Sequence, residues 1–209
     1  MHEPASPVAE QFEDANQQHE AAQLGTWTFL ATEVLFFGGL FMAYIVYRHT
    51  YPADFAAASQ HTNALLGTLN TALLLTSSWT MALAVHAAQE GQVRPLLRNL
   101  LLTLGLAVGF LVVKGFEYHE DFVKNLIPGP SFADTLPPRA ELYFVLYWAM
   151  TGLHAIHVLV GVGLLAVTTL MAGRHHFSAR YHTPVEMVGL YWHFVDLIWI
   201  FLYPLLYLI

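Results

Sequence analysis

Cysteine is absent from the 209-residue sequence. That excludes disulfides, thiolate zinc sites, iron–sulfur clusters and covalent attachment of haem through a C-x-x-C-H motif. Charge is also scarce, at 11% of residues against roughly 25% in an average soluble domain. A soluble domain of this length could not cover its surface with so few charges. With 56% hydrophobic residues and a mean hydropathy of +0.48, the chain reads as an integral membrane protein. Basic residues are fewest of all: 8 scattered Lys and Arg face 15 Asp and Glu. No basic patch can form for a phosphate backbone, so nucleic acid is excluded as a partner. P-loop, H-E-x-x-H and nucleophile–base patterns are missing too, so no active site is expected within this chain. The 12 histidines are the only nitrogen ligands available.

What is present is long apolar runs. A helix crossing a hydrocarbon core of about 30 Å needs roughly 20 mostly apolar residues. Five stretches meet that requirement, at about 26–48, 64–87, 96–118, 141–171 and 185–208. They predict an all-α integral membrane protein, a bundle of five transmembrane helices in one domain over 26–209. Residues 1–25, with five acids among Gln and Ala, read as a polar mobile tail. They lack the basic n-region and apolar h-region of a signal peptide. Pro128, Pro130, Pro137 and Pro138 separate spans three and four, Gly91 and Pro95 separate two and three, and Pro184 opens span five. An odd number of spans puts the termini on opposite sides and disfavours a transporter built of equal inverted halves. With the N-terminus inside, inner loops hold Arg94, Arg98, Arg174 and Arg180 and outer loops Arg48, Lys124 and Arg139, a small bias towards a cytoplasmic N-terminus.

Charges within spans are informative because a mid-span carboxylate costs about 2.5–3.5 kcal/mol on insertion scales. Glu33, Glu117 and Asp196 are the three such acids. Glu33 lies roughly 10 Å into span one, on a face shared with Phe37, Leu40 and Tyr44. It reads either as a proton-exchanging or lipid-contacting acid, or as a neutral Glu bonded to a neighbouring helix. Asp196, in the middle of span five, has Trp192, His193 and Trp199 within one helical turn. His193 or an indole N–H is expected to satisfy it as a structural anchor, the other reading being a proton relay. Lys114 and Glu117 are spaced to pair, and the run Glu117–Asp121 is expected to form a solvated cap at the membrane exit rather than a metal site. His154 and His157, at i and i+3, share a face with Gly161. Two neutral histidines can bind a metal, but no further ligand accompanies them, and one helix cannot supply both faces of a haem. Hydrogen-bonding histidines in a small-residue contact are expected instead. Gly105 and Gly109 form G-x-x-x-G, a close-approach surface for another helix. Arg174, His175, His176, Arg180 and His182 make a basic loop suited to anionic headgroups, or an ordinary positive-inside loop.

In order along the chain, Thr32-Glu33-Val34-Leu35-Phe36-Phe37, Asn70-Thr71, Gly115-Phe116-Glu117-Tyr118, Gly152-Leu153-His154-Ala155-Ile156-His157 and Tyr191-Trp192-His193-Phe194-Val195-Asp196 resemble motifs of subunit III of the haem–copper cytochrome c oxidases. The likeness runs from about Thr26 to the C-terminus, and is to the five-helix bacterial form that lacks the first two of the family's seven helices. It implies a non-catalytic subunit of a proton-pumping terminal oxidase in the bacterial inner (plasma) membrane. The N-terminus is then cytoplasmic and the C-terminus periplasmic. It also implies that no haem, copper or other metal is bound by this chain, haem and copper belonging to partner subunits. Implied partners are subunit I by direct packing near its proton-uptake entrance, subunit II, other subunits, membrane phospholipid, and cytochrome c as donor to the complex. In this reading the subunit protects the catalytic subunit from turnover-linked inactivation. Glu33 corresponds to the buried carboxylate beside the family's lipid cleft. Glu117, His154, His157, His193 and Asp196 correspond to positions that hold the bundle together as a polar network, and Arg174, Phe177, Ser178 and His182 fall at the lipid-contacting loop. Subunit III of a quinol oxidase has the same fold; Glu33 favours the cytochrome c type, because the quinol branch tends to carry Asp there. A free-standing proton-coupled transporter using Glu33 and Asp196 is the alternative of another class. Against it, span two holds no ionisable partner and no helix is broken at mid-membrane.

Overall fold

Helix ends are marked by their caps. Asp14 accepts from the Gln17 amide at 2.7 Å and starts α1 (Ala15–Thr50), and Asn63 accepts from the Leu66 amide at 3.2 Å to start α3 (Ala64–Gln89), each satisfying one otherwise orphaned donor. Between them Pro52, at the first helical position where its missing N–H costs nothing, opens a short α2 (Pro52–Ser59). The chain continues through α4 (Val93–Val123), α5 (Ala140–Gly173) and α6 (Thr183–Tyr207). The computed structural model describes residues 11–130, 132–133, 136–179 and 181–209. In it α1, α3, α4, α5 and α6 are long and apolar enough to cross a membrane, so the all-α bundle of five spans is as the apolar runs predict.

Two features differ from the sequence reading. The first helix starts at Ala15, not near residue 26, because the Ala-, Gln- and Glu-rich stretch behind the Asp14 cap consists of good helix formers; residues 1–10 of the expected tail lie outside the described residues. The second is α2, read as plain connection from sequence. Its Phe55 and Ala58 are buried, and it packs on α5 and α1.

Helix α6 packs against α1, α3 and α5, while α3 and α4 form an extensive antiparallel pair and α4 also meets α5. The seams are fastened by polar contacts. Thr80 and Thr103 join α3 to α4 at 2.7 Å, the indoles of Trp192 and Trp199 donate to Ser77 and Thr71, and Tyr118 donates to Thr151 at 2.9 Å. At the end of α6 the last carbonyls, which no helix can satisfy internally, accept from side chains of three other elements. Tyr44 of α1 donates to Leu205, Tyr143 of α5 to Leu206, and Ser59 of α2 to Ile209.

Close approach occurs at Gly161, where a small-residue contact is expected, and at Gly189, but not at the G-x-x-x-G pair. A Cβ at Gly105 would meet nothing within 4 Å, and one at Gly109 would meet only Leu73 at 3.9 Å, so among the described residues the G-x-x-x-G pair is not a tight packing seam. The tight contacts lie at Gly161, against Trp192, and at Gly189, against Val85 and Met81. There α5 and α3 press onto α6. Helix α1 is the peripheral member, with Leu35 77% exposed and Val34, Phe36, Met42 and Ile45 also outward. Its inner edge, by contrast, buries Leu30, Phe37 and Tyr44.

Candidate functional site

Where α1 leans on α5 and α6 it leaves an open groove of about 540 Å³, lined by Thr26, Phe29, Glu33, His157, Met187 and Tyr191, among others. Glu33 enters from α1 because it sits one turn before the buried Phe37. His157 enters from α5, its Nδ1 held by the Leu153 carbonyl at 2.9 Å, which leaves Nε2 to face Glu33 Oε2 at 3.2 Å. Phe37 packs on the same imidazole in a T-shaped contact, with ring centroids 5.3 Å apart. Tyr191 of α6 donates its hydroxyl to the His157 carbonyl at 3.0 Å. The pair is mostly buried, at 18% and 15% side-chain exposure, in otherwise apolar surroundings. Of the two sequence readings of Glu33, the bond to a neighbouring helix is therefore present, and the same residue lines an open, largely apolar groove.

Glu117 belongs to a different cluster. Lys114, Glu117 and Asp121 are 2%, 1% and 2% exposed, so most of the run is not the solvated cap that the sequence implied; only His119 and Glu120 turn outward, Glu120 lying 3.6 Å from Lys124. Lys114 Nζ donates to Glu117 Oε2 at 3.0 Å and to the hydroxyls of Tyr207 and Tyr147 at 2.7 and 3.1 Å. Those phenols donate onward, Tyr207 and Tyr147 to Glu117 Oε1, and Tyr147 also lies 3.0 Å from Asp121 Oδ2. The rings of Tyr118, Tyr147, Trp199 and Tyr207 surround the ammonium at 4.9–5.4 Å from their centroids. Spacing alone shows the Lys114–Glu117 pair. The phenols come from α5 and α6, residues far away in sequence, which is why the burial was not foreseen.

His193, His154 and Asp196 complete the residues expected to form one polar network, and they do not join it. His193 Nδ1 meets Ser78 Oγ at 2.7 Å across the α3–α6 seam. His154 is buried against Trp199 and Phe110, at 5.2 and 5.7 Å between ring centroids. Among the described residues neither of its ring nitrogens, nor either carboxylate oxygen of Asp196, has a hydrogen-bond partner by distance and angle, although the Ser78 hydroxyl that meets His193 also stands near Asp196. The expected anchor from His193 or an indole is therefore not made, because His193 turns to Ser78 and both indoles donate to α3. Glu33–His157, the Lys114–Glu117 cluster and His193–Ser78 are three separate contacts.

In the loop before α6, Arg174 caps the end of α5 and is exposed, as is Ser178, which bridges to Tyr181. Phe177 points inward and stacks on Tyr181, so its ring braces the loop. His182 pairs with Glu186 at 3.3 Å, and Gln89 donates to the same carboxylate. Arg180 lies outside the described residues. Among the described residues no group of three or more His, Asp and Glu is arranged to hold a metal ion.

The family model for cytochrome c oxidase subunit III matches residues 11–209. The cytochrome c oxidase subunit 3 of Thermostichus vulcanus is 31% identical over 197 residues, covering 93% of this chain and 90% of that relative. Those of Dugong dugon and Gadus morhua are 31% and 32% identical over 195 and 196 residues, covering 88% of this chain and 67% of each relative.

Proposed function

This chain belongs to the cytochrome c oxidase subunit III family, and on that premise we propose that it is the non-catalytic subunit that packs on subunit I, stabilises its proton-uptake region and holds phospholipid in the Glu33 groove. The observation that carries the reading is the Glu33–His157 pair, a carboxylate kept by one interhelical contact in an apolar groove open to the membrane. A charged or polar group at such a depth is costly unless it serves a site. Haem and copper belong in this reading to the partner subunits, subunit II among them, with cytochrome c as the donor and proton pumping a property of the whole complex. Exposed Arg174 and Ser178 would meet lipid headgroups at the loop before α6. His182, paired with Glu186, and inward Phe177 would shape that loop.

We infer a bacterial plasma membrane, with the N-terminus cytoplasmic. The chain spans nine-tenths of the Thermostichus relative but two-thirds of the animal ones. Arg94, Arg98 and Arg174 lie at the same ends of the bundle as the start of α1, in line with positive-inside placement.

The test is affinity purification of the chain in mild detergent, followed by a visible spectrum and oxygen uptake. Reduced haem bands with cyanide-sensitive uptake on added cytochrome c are expected. Uptake with a quinol alone moves the chain to the quinol branch. A colourless, partner-free protein that carries protons in liposomes overturns the subunit reading in favour of the transporter.

A further inference from the structure

The buried cluster on α4 makes more hydrogen bonds than its ammonium and phenols have protons to fill. Lys114 Nζ bonds to Glu117 Oε2, Tyr207 and Tyr147, both phenols reach Glu117 Oε1, and Tyr147 also meets Asp121 Oδ2. That is six hydrogen bonds, each needing a proton of its own. An ammonium brings three protons and each phenol one, which makes five. With both carboxyls ionised, the Tyr147 hydroxyl would have to serve Glu117 at 2.9 Å and Asp121 at 3.0 Å with a single proton. One of those two oxygen pairs would then face lone pair to lone pair.

The other titratable neighbours are engaged elsewhere. Tyr143 on α5 donates to the Leu206 carbonyl, and Tyr118 on α4 donates to Thr151. Lys124, in the turn that ends α4, pairs with Glu120 at 3.6 Å on the exposed side. The sixth proton therefore sits on a carboxyl of the cluster. Glu117 is the poorer place for it, because its oxygens already accept from the ammonium and from the phenols. Asp121 lies one helical turn further on, 2% exposed, with the Tyr147 hydroxyl in front of it. A second carboxylate ion there would share one ammonium with Glu117 in a site closed to water, which like-charge repulsion and lost hydration both oppose.

We propose that Asp121 is a proton-binding site: it holds one proton in the folded protein and donates it to the Tyr147 hydroxyl, whose own proton goes to Glu117. All six hydrogen bonds then have a proton. Tyr147 accepts from Lys114 and Asp121 and donates once, which uses its full capacity. The enclosed cluster holds one ion pair and one neutral acid, with no net charge to bury. Asp121 thereby ties α4 to α5 as a donor, a bond that an ionised carboxylate could not give. The site is separate from the Glu33 groove and does not depend on what that groove holds.

The test is infrared spectroscopy of the full chain, in whatever assembly it purifies with, at neutral pH. A protonated carboxyl has a carbonyl stretch well separated from the bands of a carboxylate. Subtracting the spectrum of Asp121→Asn from that of the wild type is expected to leave one carboxylic-acid band. That band should shift when the protein is grown on aspartate carrying heavy carbon in its side-chain carboxyl, and should fall slightly in heavy water. Tyr147→Phe leaves the acid in place but removes its acceptor, so the same band is expected to move to higher frequency. This second variant carries the test alone if Asp121→Asn does not assemble. Absence of an aspartate-labelled acid band that either variant changes would show Asp121 to be ionised and overturn the proposal. A band that shifts with labelled glutamate and is lost in Glu117→Gln would place the proton on Glu117 and overturn it as well. Glu33→Gln is expected to leave the Asp121 band unchanged, so failure of the lipid reading would not touch this result.

Discussion

A Cβ built on Gly161 would lie 2.7 Å from Cζ3 of Trp192, well inside contact distance. Only a residue without a side chain lets α5 approach α6 here, and the approach has a consequence one residue away. Tyr191, beside Trp192, reaches the carbonyl of His157 at 3.0 Å, and His157 is the partner of Glu33. The packing of a glycine thus sets the position of the groove.

Gly161→Leu is expected to destabilise by about 1–3 kcal/mol or more, because an overpacked interior must move a fully buried indole. The same substitution at Gly105, where nothing lies within 4 Å, is expected to stay within about 0.5 kcal/mol. Thermal unfolding of the purified complex compares the two. A Gly105→Leu loss as large as that of Gly161→Leu would mean that the open face of α4 is packed on something.

Lys114 and Glu117 are both fully enclosed. Removing one member leaves the other charge buried and unpaired, a change that costs about 3–5 kcal/mol. Lys114→Met should therefore lower the unfolding midpoint sharply, and the double variant Lys114→Met/Glu117→Gln should recover part of the loss, as coupled neighbours do. Additive losses would show that the two side chains do not depend on each other.

For Glu33 and His157, a double-mutant cycle with alanine at each position is expected to return a coupling of about 1 kcal/mol, the scale of hydrogen bonds measured between membrane helices. Glu33→Gln should keep most of it, since His157 carries its proton on Nδ1, towards the Leu153 carbonyl, and the amide N–H can donate to Nε2. A coupling near zero in chemical unfolding would show that the contact does not hold α1 to α5.

His154 contributes a ring to the stack with Trp199 and Phe110 but no hydrogen bond. His154→Phe keeps the stack and removes two unpartnered buried nitrogens, each of a kind that costs about 1–3 kcal/mol. The variant is expected to raise the unfolding midpoint, with part of the gain offset by the slightly larger ring. A lower midpoint would reveal a polar partner for this histidine in the assembled complex.

The sequence by itself determined the class and number of the helices. Apolar runs of membrane-crossing length, separated by Gly and Pro, leave no other solution in a hydrocarbon core, where every backbone group must be bonded within its own segment. It also showed Glu33 as a buried acid and Lys114–Glu117 as a pair, because both depend on spacing along one helix. Tertiary structure alone decided what those groups face. His157 lies 124 residues from Glu33, and Tyr207 lies 93 residues from Lys114, so only the placement of α5 and α6 turns a seemingly solvated run into a buried cluster. The same cause explains the glycines. G-x-x-x-G marks a surface without naming what meets it, and the true seams at Gly161 and Gly189 exist because bulky residues on neighbouring helices, Trp192 and Val85, arrive opposite them. Periodicity is a property of one helix, whereas contact belongs to two.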